Sequence, residues 1–176
     1  MSLNTTKPTA YTTSGGTTPL NPTSAYDGAV NDTTTACTVA ASQPASVGTK
    51  TSVLVVKTFT AMSAQAYQSK TLKINRSVDS INDAGGNNPI FKLEFSINSG
   101  SSWSLIESDN NVFGEATVNQ TLLATQDETL VQVRATTSCF SDGSALAALS
   151  ASVYDVWIEG VYGVAGAGKK AVGLAC

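Results

Sequence analysis

The stretch PIFKLEFSIN, residues 89–98, alternates apolar and polar side chains: Phe91, Leu93, Phe95 and Ile97 fall on one face, and Lys92, Glu94 and Ser96 on the other. A repeat of two is the signature of a strand with one buried face. Working outward, the same texture recurs. In 129–137, Val131 and Val133 oppose Gln132 and Arg134. In SVLVVKTF, residues 52–59, both faces are apolar, which places that strand in the middle of a sheet or under another chain. Clusters of Gly, Asn, Asp and Ser separate these runs. The expected strands are 36–42, 51–60, 69–77, 89–98, 103–107, 115–122, 129–137 and 149–162. Eight strands without a clear helix fit a two-sheet antiparallel β-sandwich of jelly-roll type, because stacking two sheets buries both inner faces. The segment SDGSALAALS, 141–150, reads as a hairpin turning at Asp142–Gly143.

Two flanking segments differ in composition. Residues 1–33 are rich in Thr, Pro, Gly and Asn with few apolar side chains, and read as an extended N-terminal arm. Residues 163–176 form a Gly/Ala-rich C-terminal tail, leaving 34–162 as the sandwich domain. Such arms order when they lie along the body or are held by neighbouring subunits.

The 176 residues carry a net charge of −3 with ten basic residues, only two of them arginine (Arg76 and Arg134), which disfavours nucleic acid and anionic membranes as partners. No run approaches the roughly 18 apolar residues of a membrane span, and no apolar stretch near the N-terminus reads as a secretory signal, so the expected product is soluble and made in the cytoplasm. Three cysteines, Cys37, Cys139 and Cys176, lack metal-site or disulfide-framework spacing; Cys37 and Cys139 fall on expected strands as buried small hydrophobes.

The chain contains no histidine, which removes Ser-His-Asp and Cys-His catalysis and histidine metal ligation. The octet SINSGSSW, Ser96 to Trp103, resembles the Asp-box of sialidases, with Asn98 in place of the aspartate. That resemblance implies an arginine triad, and two arginines in the whole chain do not supply one. Locally, Asn98 or Ser96 is expected to bond across the turn, Gly100 to take positive φ and Trp103 to pack back over it. The stretch GVAGAGK, 163–169, matches a phosphate-loop pattern, but Lys170 follows where Ser or Thr should hold magnesium. No pair of carboxylates stands out for glycoside hydrolysis. No catalytic residue or cofactor is expected.

The segment NPTSAYDGAVNDTTTACTVA, 21–40, resembles the opening of discoidin-like or galactose-binding-like β-sandwiches. That resemblance implies a loop which packs the sandwich or holds a structural calcium through Asp27, Asn31 and Asp32. On the last strand, Asp155, Trp157 and Glu159 are expected to face away from a core formed by Tyr154, Val156 and Ile158. Trp157, Tyr154 and Trp103 are therefore the candidates for glycan stacking or for anchoring an interface.

Together, AYDG, SINSGSSW, LVQVRA and SVYDVWIEG resemble segments of small jelly-roll sandwiches among tailed-phage virion proteins. The resemblance implies a non-enzymatic virion structural protein (capsid decoration, neck or collar, or tail component) partnered by copies of itself, by other virion proteins and by host surface glycans. The alternative is a carbohydrate-binding module using exposed aromatics.

Overall fold

In the computed structural model, which describes residues 1–27, 29–31, 33–44, 46–83, 85 and 88–163, the alternating stretch forms a strand. Phe91 and Leu93 are fully buried and Lys92 is exposed. The strand ends at Ser96, so Ile97, expected on the core face, stands 43% exposed.

Among the described residues, ten strands run in order: β1 (Ser2–Thr6), β2 (Pro8–Gly15), β3 (Cys37–Gln43), β4 (Gly48–Phe59), β5 (Tyr67–Asp83), β6 (Ile90–Ser96), β7 (Ser104–Asp109), β8 (Phe113–Leu122), β9 (Gln132–Ser141) and β10 (Ala147–Tyr162). Two 3-10 turns, Pro22–Ala25 and Glu128–Leu130, complete the regular structure, and no α-helix occurs among the described residues. All pairing is antiparallel. One sheet runs β1-β10-β5-β8 with β3 also on β10, and the other runs β2-β4-β9-β6-β7.

The last eight strands form a jelly roll. β3 pairs with β10, β4 with β9, β5 with β8 and β6 with β7, as if one long hairpin with its tip at the β6–β7 turn had been wrapped into two facing sheets. Inward side chains fill the space between: Leu54, Val56 and Phe59 from β4, Leu72 and Ile74 from β5, Phe91 and Leu93 from β6, and Leu149 and Ile158 from β10. Burying each stabilises the fold by about 1.5–3 kcal/mol, enough to set which face of every strand turns inward. β4, apolar on both faces, lies between β2 and β9 as expected of a central strand.

The structure sharpens one expectation and corrects another. First, the segment read as an N-terminal arm supplies an edge strand to each sheet: β1 pairs with the end of β10, and β2 runs along β4. Thr and Ser with scattered apolar residues suit edge strands that bury little. Second, Asp142–Gly143 does turn the chain, with Gly143 at φ 96° and the Asp142 carboxylate accepting from Ser144 N at 2.8 Å. The strands it joins, β9 and β10, belong to opposite sheets, so it is an inter-sheet connection and not a hairpin. The tail beyond Gly163, with the phosphate-loop-like stretch and Cys176, lies outside the described residues.

Cys37 and Cys139 are buried free thiols. Burial pushes Cys37 up to about 12 and Cys139 up to about 11, so neither is a nucleophile at neutral pH.

Candidate functional site

The N-terminal chain leaves one sheet at Thr6, paired with Ile158, and enters the other at Pro8, paired with Phe59. Lys7 is the single residue between β1 and β2. Its ammonium lies 2.6 Å from Asp155 Oδ1 and donates to the carbonyl oxygens of Asp27 at 2.8 Å and Ala29 at 3.2 Å.

Asp155 is fully buried. It occupies the interval on β10 between the last residue paired with β3, Val153, and the first paired with β1, Ile158, and a bulge against β5 falls there too. In that interval the carboxylate takes over the work of a strand partner. Its Oδ2 accepts Asn31 N at 2.6 Å, and its Oδ1 accepts its neighbour Val156 N at 2.9 Å. Burial raises the Asp155 carboxyl above the usual carboxylate range, and Lys7 with the two backbone N–H groups offsets part of that rise.

Beside this crossing opens a cleft of about 680 Å3, lined among others by Asn4, Thr9, Tyr26, Asp27, Met62 and Ser63. Its far wall is tied to the N-terminal strands. Thr6 Oγ1 donates to Thr60 O at 2.6 Å, Thr9 Oγ1 donates to Thr58 O at 2.9 Å, and Asn4 Nδ2 donates to both Ser63 Oγ and Tyr67 OH at 2.7 Å. Tyr26 follows the first 3-10 turn and packs against Tyr11 of β2 with ring centroids 6.3 Å apart. Burial, then Tyr11 and Asp27, raise its phenol, which therefore stays a hydrogen-bond donor through neutral pH. A second depression of about 540 Å3, with Tyr67, Lys70 and Glu128 in its wall, shares Met62 and Ser63 with the first. There Lys70 pairs with Glu128, donates to Gln126 O at 2.7 Å and lies over the Tyr67 ring.

The residues singled out from sequence disperse. Asp27 side-chain oxygens accept from Ser24 and Thr35, Asn31 contributes its backbone N–H, and Asp32 lies outside the described residues. The oxygens that do converge, from Asp27, Ala29 and Asp155, receive the Lys7 ammonium. That positive charge would repel a calcium ion placed among them, and the Asp27 carboxylate stays within its own turn, bonded by Ser24 and Thr35.

Trp157 is expected to face away from the core, as a glycan-stacking or interface-anchoring residue. It is 3% exposed, its Nε1 donates to Glu159 Oε1 at 3.0 Å, and Lys73 reaches Glu159 Oε2 at 2.7 Å. Burial raises the Glu159 carboxyl, but the bonds from Lys73 and Trp157 outweigh it and hold the group low. Tyr154 is half-buried, its hydroxyl 3.4 Å from Ser77 Oγ. Trp103 precedes β7 in the other sheet, with the Arg134 guanidinium 4.3 Å from its ring centre. Trp103 therefore lies at a different sheet from Trp157 and Tyr154. The residues that sequence reading passed over are Lys7 and Tyr26, and Asp155, expected to face away from the core, is instead fully buried. One signal was available for Asp155, as a charge inside the otherwise apolar run SVYDVWI.

No family model matches the chain, and no curated protein matches it. Among solved structures, it is similar to TmCBM61, solved in complex with β-1,4-galactotriose (TM-score 0.40, 11% identity, covering 86% of this chain and 89% of that one). It is also similar to a pectin binding carbohydrate binding module (TM-score 0.30, 14% identity, 92% and 94%). The likeness is one of fold, an antiparallel β-sandwich.

Proposed function

We propose that the protein is a non-catalytic glycan-binding sandwich that seats a neutral oligosaccharide in the cleft at the β1–β2 crossing. The observation that carries this reading is the composition of the cleft, which is lined by an aromatic residue, Tyr26, together with the polar residues Asn4, Thr9, Ser63 and Asp27. Sugar recognition needs an aromatic face for the ring's C–H groups and fixed polar atoms for its hydroxyls. The cation in the cleft wall, Lys7, is already neutralised by Asp155, so nothing there favours an anionic sugar over an uncharged one.

The test is calorimetric titration of the intact chain with neutral and acidic oligosaccharides. Neutral oligosaccharides are expected to bind, and Tyr26→Ala to weaken binding about tenfold or more at an unchanged fold. Absence of binding to any neutral glycan, or equal affinity in Tyr26→Ala, would overturn the reading.

The second reading is the assembly role implied by the resemblance to phage virion sandwiches. What favours it is apolar surface left in solvent, with Leu105 58% and Leu123 70% exposed.

A further inference from the structure

A sheet edge leaves alternate N–H and C=O groups without a ladder partner, and proteins blunt such edges with short strands, charges, proline or bulges. Most edges here are blunted. β2 begins at Pro8, β1 has five residues, and β3 takes a bridge from Leu20 to Thr38. β7 has six residues, carries Glu107 and Asp109, and meets β6 with a register shift.

β8 has none of these beyond Ala116, its one register shift against β5 lying at its start, between Arg76 and Val78. Its ten residues, FGEATVNQTL, contain no lysine or proline. The single charge, Glu115, is drawn across the sheet, its Oε1 accepting Asn75 Nδ2 at 2.8 Å. β8 is bonded to β5 on one side, and among the described residues no strand lies on the other. Val112 and Leu123, just beyond its two ends, are 59% and 70% exposed.

We propose that β8 pairs antiparallel with β8 of a second copy of this chain, joining two sheets across a two-fold axis. The occupant is argued from self-complementarity. Such an axis keeps each side chain on its own face, so opposed residues must share a face, and the centre falls on a residue. Centring on Val118, which shares the inward face with Ile74, sets Val118 against its mate, Ala116 against Gln120, Thr117 against Asn119, and Glu115 against Thr121. Each carboxylate then meets a neutral hydroxyl and stands roughly 20 Å along the strand from its own copy. The edge thus supplies its own complement without opposing like charges. This inference is independent of glycan binding.

Sedimentation equilibrium of the full chain tests it. The wild type is expected to be a dimer in reversible exchange with monomer. Thr117 and Asn119 are exposed on the outer face. Thr117→Lys/Asn119→Lys therefore leaves the monomer folded, sets lysines opposite lysines, and weakens dimerisation at least about tenfold. Mixing it with Thr117→Glu/Asn119→Glu restores a dimer of the two variants. A monomeric wild type, an unchanged constant in the lysine variant, or failure of the mixture to re-form a dimer would each overturn the proposal.

Discussion

Lys7 and Asp155 meet across almost the whole length of the chain, and their energetics follow from unequal burial. The Asp155 side chain has no exposure and that of Lys7 has 16%. Removing one partner of a buried pair leaves the other charge uncompensated, which costs about 3–5 kcal/mol, whereas replacing both with uncharged groups of similar size costs far less. Lys7→Met should lower stability by about 3 kcal/mol in urea denaturation, and Lys7→Met/Asp155→Asn should regain most of that loss. A double variant as unstable as the single one would show that Lys7 acts by packing. The same site predicts a pH dependence. Because burial raises the carboxyl in the folded chain, the folded state holds this proton more tightly than the unfolded state does. The associated stability is present in full below the ordinary carboxylate range and is lost as pH rises through the raised folded value. The stability of the wild type relative to Asp155→Asn should therefore fall as pH climbs from the ordinary carboxylate value through the raised folded one. The opposite slope would mean that Lys7 outweighs burial. Sequence reading turned Asp155 away from the core and left Lys7 unremarked, since nothing local connects them.

Among the elements, the β6–β7 turn is the one whose chemistry was most legible. Ser96 Oγ accepts the backbone N–H groups of Asn98 and Gly100, at 3.2 and 2.8 Å, and Asn98 Oδ1 accepts Ser102 N at 2.9 Å. Gly100 adopts φ 84°, and a Cβ there would lie 2.9 Å from Gln132 Oε1 and 3.4 Å from Trp103 Cζ2. All but the Gln132 contact join residues within eight positions, which is why a single octet of sequence predicts them. Gly100→Ala must hold an L-residue at positive φ and displace the Gln132 side chain, at a cost of about 1–2 kcal/mol. Chemical denaturation measures this, and an unchanged midpoint would show that the turn relaxes to another backbone form. β1 and β2 are the reverse case. Their threonines have strand propensity but no apolar alternation, so their pairing is visible only once β10 and β4 are in place beside them.

At the scale of the molecule, the first fifteen residues close the sandwich. They complete the edge of β10 beyond β3, cover β4, and deliver Lys7 to Asp155. A chain beginning at Gly16 would bare both strand edges and leave Asp155 without its ammonium, a loss of roughly 3 kcal/mol from that charge alone. Its expected behaviour is a lowered melting temperature together with self-association, seen by light scattering on warming. A truncated chain that stays monomeric and melts with the intact protein would refute a closing role for these strands. A second tie holds the sheets together from the opposite side. Arg76 of β5 donates to Glu107 of β7, with Nε at 2.6 Å from Oε1, and the Phe113 ring lies under the guanidinium.

The residue order by itself determined that the chain is a β-sandwich, because a period of two is a local property and each strand carries its own. It placed all eight strands of the jelly roll, the β6–β7 turn and the two buried thiols. Tertiary structure alone decided which surfaces became sites. Asn31 and Asp155, 124 positions apart, meet because β10 has a stretch that β3 and β1 leave uncovered. Trp157 is closed off by its own chain, Tyr26 is set into a cleft, and β8 is left with an open edge among the described residues. Exposure and convergence depend on pairings between distant segments, and no short window of sequence contains both partners.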